Sequence, residues 1–338
     1  MHPEALSVFA RSAVRKMSIL HAAGALARAT LLVTWLPLAA AQAAEIRIGF
    51  ANGSSADYAP AFAAEKLGSF KQAGLDVRLI AFRGGAAAQE ALTAGAADII
   101  AYFGPAVALA VSKGVKEKMV ATILAGHSGW NLIVPTDSPA RSLKDLAGKK
   151  IGISTKASTS DMAALWIGEQ AGISMTQIPL GAGALIPSLR SHQVDAIVFS
   201  ALLTMREMLA GRARSLMDVG ATMPATMANV YVASEDMLVN RAGELRAALA
   251  VIYKTLAYMK ANRAWSMSYL KDFAKSDSDE LTAALYDGIF PKLSPDGHIE
   301  TAWIAEGLTL AARAWEVPEL AKVKADTLYT NEFHPAAP

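Results

Sequence analysis

The densest run of chemistry-bearing side chains lies between Ser154 and Asp161, where Ser154, Thr155, Ser158, Thr159 and Ser160 all carry hydroxyls. One helix cap does not need that many. Hydroxyls beside a helix start, whose first N–H groups have no intrahelical partner, suit an anionic or carbonyl oxygen. A sparser run, Asn52, Ser54, Ser55 and Tyr58, precedes Pro60, which fits a first helical turn. Capping and turn chemistry use the same residue types, so each run carries both readings. Two such helix starts facing one another would favour negative charge by about 0.3–1 kcal/mol each.

Other candidates stand at the ends of predicted strands. Arg83, followed by Gly84 and Gly85, can pair bidentately with a sulfonate, phosphate or carboxylate, or stand solvated at a sheet edge. Tyr102, Phe103 and Gly104 follow another strand, and Ser200 a further one. Tyr58, Tyr102, Trp130 and Tyr231 can wall a pocket and stack on a planar compound, although Tyr231 suits hinge packing equally. Trp166 falls within a helix and reads as core. His127 and Ser128, with Asp161 and Asp195, supply the residue types of a nucleophilic triad. No G-x-S-x-G elbow accompanies them, so no catalytic residue is expected. The histidines lack metal-ligand spacing and cysteine is absent, which excludes disulfides and thiolate chemistry. Neither a metal nor a cofactor is expected.

These candidates sit in a pattern that occurs twice. Arg47-Ile48-Gly49-Phe50 leads through the first polar run to Glu65-Lys66-Leu67-Gly68. Lys150-Ile151-Gly152-Ile153 leads through the second to Glu169-Gln170-Ala171-Gly172. Downstream, Gly85, Leu92, Gly95 and Asp98 are matched by Gly183, Leu189, His192 and Asp195. Each copy reads as strand, polar loop, helix, connection, helix, strand. The matching of Asp98 with Asp195 implies a structural role at a chain turn.

Apolar alternation predicts strands over 46–50, 75–82, 98–102, 119–124, 150–154, 196–199 and 229–232. Beyond these, Leu245, Leu249, Ile252, Leu256 and Met259 recur at helical spacing, and Trp303, Leu308, Leu310 and Trp315 mark a later helix. Alternating strands and helices imply mainly parallel sheets, with ligands bound outside the carboxyl ends of the strands. There the repeated polar loops fall, and two such units facing one another would make a cleft.

The 338 residues suffice for two lobes with cores, and 53% apolar with 18% charged residues describe a globular chain. Arg11, Arg15, Lys16 and Arg28 lead into an apolar run over 29–38, followed by Ala41-Gln42-Ala43. That order is expected of a cleaved export signal over 1–43, with Met17 an alternative start. The competing membrane anchor would need about 20 apolar residues, more than this run with Pro37 supplies. The segment carries +3 of the chain's +2, leaving the rest near −1. Nothing in that balance points to nucleic acid. The expected location is a periplasm.

At Glu65–Val77, Ala91–Asp98, Ser142–Gly152 and Gln193–Ile197 the chain resembles the periplasmic solute-binding proteins of ABC importers. Within them it is similar to the group serving sulfonates, taurine, nitrate and thiamine-pyrimidine precursors. The resemblance implies a two-lobed type II periplasmic-binding-protein fold, α/β, with two crossing segments and C-terminal helices on the first lobe. It implies lobe one over 45–126 plus 227–330, lobe two over 127–226, and a loose tail over 331–338. It also implies a monomer that captures a small solute and delivers it to a permease with a cytoplasmic ATPase. Two alternatives share the fold: an enzyme like the pyrimidine synthases, and a ligand-sensing module for a separate receptor. The enzyme family carries a cysteine-rich motif that this chain lacks.

Overall fold

The computed structural model describes residues 44–335; the expected export signal lies outside them. Ten strands follow in order: β1 Ile46–Phe50, β2 Val77–Ala81, β3 Ile99–Tyr102, β4 Glu117–Leu124, β5 Asn131–Pro135, β6 Lys150–Ile153, β7 Thr176–Pro179, β8 Ala196–Phe199, β9 Ala213–Asp218 and β10 Asn229–Ser234. They form two five-stranded sheets, ordered β2-β1-β3-β10-β4 and β7-β6-β8-β5-β9. The two orders correspond position by position. The duplication in the sequence is therefore a duplication of topology.

Each sheet is mainly parallel with one reversed strand. β10 runs antiparallel to β3 and β4, and β5 antiparallel to β8 and β9. These reversed strands are the ones that follow the two crossings between the sheets. β3 and β8 are fully buried central strands, Ile-Ile-Ala-Tyr and Ala-Ile-Val-Phe, as helix-covered strands must be. β7 and β9 are edge strands whose polar content, and Pro179 in β7, hid them from pattern reading.

The paired aspartates do what their symmetry implied. Asp98 Oδ2 accepts from the Arg47 backbone N–H at 2.7 Å, and Asp195 Oδ2 accepts from the Lys150 N–H at 2.8 Å. Each ties the loop before one central strand to the start of its neighbour.

The helical stripe Leu245, Leu249, Ile252, Leu256 and Met259 is buried on the helix Ala242–Ala261, against the first sheet's helices. The C-terminal helices do not confine themselves to that half. Asp279–Ile289 packs on Ala201–Leu209 of the second half. Thr301–Ala314 packs on both Gly104–Ser112 and Thr159–Ala171, with Arg313 Nε 3.3 Å from Glu169. The tail is docked as far as it is described: Phe333 is buried, and Asn331 exchanges hydrogen bonds with the Ile299 backbone. No helix among the described residues is long and apolar enough to cross a membrane.

Candidate functional site

The polar loops meet at the carboxyl ends of the parallel strands. Because β5 and β10 are reversed, the residues at their beginnings, Trp130 and Asn229, arrive at the same place. Together they enclose a narrow cavity of about 20 Å3. Ala51, Asn52, Ser55, Tyr58, Gly85, Tyr102, Phe103 and Asn229 come from one side. Trp130, Ser154, Ser158, Thr159, Ser160 and Phe199 come from the other.

The polar part of the second-half wall is built from hydroxyl side chains. Ser154, Ser158 and Ser160, all buried, bond to one another with Oγ–Oγ distances of 3.2, 3.0 and 2.9 Å. Ser158 also donates to the Thr155 carbonyl at 2.7 Å and caps the helix Thr159–Ala171 by accepting from the Asp161 N–H. Thr159 and Ser160 stand in the first turn, whose N–H groups have no partner within the helix. Asp161 secures the loop from behind, accepting from the Ala157 N–H at 3.0 Å and from Lys156 Nζ at 3.2 Å. That bracing holds Ala157 at φ 54°, a left-handed conformation unusual without glycine.

The first-half wall rests on a buried acid. Asn229 donates to the Asp57 carboxylate and accepts from Tyr58 Oη at 2.7 Å, which fixes the orientation of its amide. Burial pushes the Asp57 carboxyl up to about 6, against the hydrogen bonds that lower it. None of the side chains lining the cavity is a cation or a carboxylate. An aromatic flank completes it: Trp130 packs against Phe199 with ring centroids 5.5 Å apart, and Phe103 is backed edge-on by Trp315.

The two halves are closed on each other. Ser55 Oγ reaches Ser200 Oγ at 3.1 Å, and Thr159 Oγ1 donates to the Ala228 carbonyl at 3.3 Å. Ala182 N–H donates to the Arg83 carbonyl at 3.1 Å. At Gly84 a Cβ would stand 2.3 Å from Thr155 Cγ2, so only glycine permits this approach.

Ten of the residues singled out in the sequence line the cavity: Asn52, Ser55, Tyr58, Tyr102, Phe103, Trp130, Ser154, Ser158, Thr159 and Ser160. Ser200 stands one hydrogen bond behind it, while Thr155 and Gly84 form the seam between the halves. Ser54 and Arg83 line a separate, neighbouring groove. Two residues lie off both walls. Gly104 packs against Met227 at the second crossing, and Ser128 against Gly220. Sequence reading missed Ala51, Phe199 and Asn229 as site residues and used Gly85 as a repeat marker. The topology that brings a reversed strand's first residue to the cleft leaves no local signal at Asn229.

The residues of a nucleophilic triad are not brought together. His127 is fully buried, its imidazole pushed down to about 4 by burial, with Nε2 3.0 Å from Thr226 Oγ1 rather than from a serine. Tyr231 is buried behind the wall.

Among solved structures, a protein from Bordetella bronchiseptica RB50 has the same fold, at 24% identity and TM-score 0.73, covering 86% of this chain and 96% of that one. The alkanesulfonate-binding protein SsuA of Xanthomonas axonopodis pv. citri, bound to MOPS, follows at 18% identity and TM-score 0.72, covering 86% and 99%. The desulfurization enzyme DSZB shares the fold at 15% identity and TM-score 0.56, covering 85% and 97%. No curated protein sequence matches. The profile of the family described as NMT1/THI5 like matches residues 55–264, more than half of the chain. The chain belongs to the NMT1/THI5-like family.

Proposed function

We propose that this protein is the exported solute-binding component of an ABC importer, closing its two lobes over a small organic solute and handing it to a permease. The observation that carries the reading is a neutral, donor-rich cavity placed where the two duplicated halves meet. Hydroxyl and N–H donors suit an oxygen-rich head bearing one negative charge. A dianion would lack a compensating cation there and would face the buried Asp57. Trp130, Phe199 and Phe103 suit a planar or partly apolar body. The Xanthomonas relative, bound to a sulfonate, supports a singly charged head of that kind. The leader read over 1–43 supports a periplasmic location.

An enzymatic reading has the fold of the desulfurization enzyme in its favour. The cavity offers it serines that bond to one another, with no histidine or carboxylate on the wall to activate them. Binding without chemistry is the better fit. Native mass spectrometry of freshly purified protein tests this: one bound small molecule, released unchanged on denaturation, is the expected result. A covalent adduct, or turnover of the released compound on re-addition, would favour the enzyme.

A further inference from the structure

Arg83 was singled out as an anion partner, yet it does not reach the closed cavity. It lines an outer groove of about 380 Å3, far roomier than the closed cavity of about 20 Å3. Asn52 lines both, so the groove adjoins the cavity. Phe82, Ile186 and Leu203, each half-buried, give the groove an apolar wall. Its charges are unbalanced. Glu207 is held by both Arg190 and Arg212, with Oε–N distances of 2.6–3.0 Å. Arg206 reaches across to the Ala274 carbonyl at the end of the helix Arg263–Ala274. Among the described residues no carboxylate pairs with Arg83 or Arg206, so the groove carries net positive charge beside a neutral cavity.

We propose that the outer groove is the second half of the solute site, receiving the far end of an elongated solute whose second negative group Arg83 pairs. This rests on the binding reading above and narrows it: the solute is a chain with a singly charged head in the cavity, an apolar middle along Phe82, Ile186 and Leu203, and a singly charged tail. The division of labour follows from the walls. Fixed neutral donors hold the head in a dry site. A flexible, exposed guanidinium selects the tail, with a smaller and salt-sensitive contribution.

Calorimetric titration of the mature protein with methanesulfonate, 1-butanesulfonate and 1,4-butanedisulfonate tests the proposal. The disulfonate should bind about fivefold more tightly than butanesulfonate at low salt, the size of an exposed charge pair. Arg83→Gln should bring that ratio to about one, and Arg83→Glu should invert it. Equal affinity of the two butane compounds in the wild type, or a ratio that survives Arg83→Gln, would overturn the assignment of the groove. Ser160→Ala tests the head site separately, since it should weaken all three compounds alike. Failure of all three to bind the wild type would overturn both readings.

Discussion

The two halves share one topology and treat buried carboxylates in opposite ways. In the first, Asp57 and Glu117 are buried with no cation paired to them among the described residues. Glu117 accepts from Gln89 Nε2 at 2.6 Å, and burial pushes its carboxyl up to about 7. In the second, burial alone would raise Glu207, but the Arg190 and Arg212 guanidiniums outweigh it and hold the carboxyl down at about 2. A duplicated fold thus constrains the path of the backbone and leaves electrostatics free to diverge. In the first half burial raises the acids it packs; in the second two guanidiniums keep the acid charged.

The largest expected effect comes from Glu117. Its folded value lies above the unfolded one, so its contribution is fully present below about pH 4.5 and is lost as pH rises to about 7. A rise from 4.5 to about 7 corresponds to about 3 kcal/mol. The Oε1 atoms of Glu117 and Gln89 both lack a partner among the described residues, and a proton on Glu117 supplies a donor. Glu117→Gln should therefore match the wild type in urea denaturation near pH 4.5 and exceed it at pH 8. Asp57 adds to the loss in the same direction. His127 acts oppositely: its lowered value makes its contribution present above pH 6.5 and lost as pH falls toward 4.

The second half should show the reverse sign. Glu207→Gln leaves two guanidiniums sharing one neutral acceptor oxygen in place of a carboxylate and should cost about 2 kcal/mol at pH 7. Glu207's own contribution is present above about pH 4.5 and is lost as pH falls through about 2, so the variant and the wild type should converge there. Parallel pH profiles for the Glu117 and Glu207 variants would erase the contrast between the halves.

Much of this arrangement was legible beforehand, and the exceptions share a cause. The repeats exposed the strand–loop–helix units, and with them the serines and Asp98 and Asp195, because those features recur at fixed local spacing. Asn229 and Phe199 were missed because their places depend on strand order, which no window of sequence displays. Asp57 stands in a polar loop with no local sign of burial, which comes when β10 lays Asn229 over it. Arg83 reads either as an anion partner or as a solvated edge residue, and its place is set by the seam at Gly84 and Thr155, a contact between residues 71 positions apart.

That seam offers the next test. Gly84→Val would collide with Thr155 across the cleft and hold the lobes ajar, with little effect on either half. Solute affinity should fall about tenfold, equivalent to ~1.4 kcal/mol withheld from the closed state. The thermal midpoint without solute should hardly move. The smallest effect is expected within the serine cluster. Ser154→Ala removes one hydroxyl from a group that can partly re-pair, costing about 0.5–1 kcal/mol of stability. A cost of several kcal/mol would mean that the second wall is as tightly interlocked as the first.

Small-angle X-ray scattering of the mature protein, with and without the solute identified by mass spectrometry, bears most directly on the binding role. The radius of gyration should decrease on solute addition in the wild type and stay at the larger value in Gly84→Val. An unchanged radius of gyration in the wild type at saturating solute would contradict closure of the two halves over a guest.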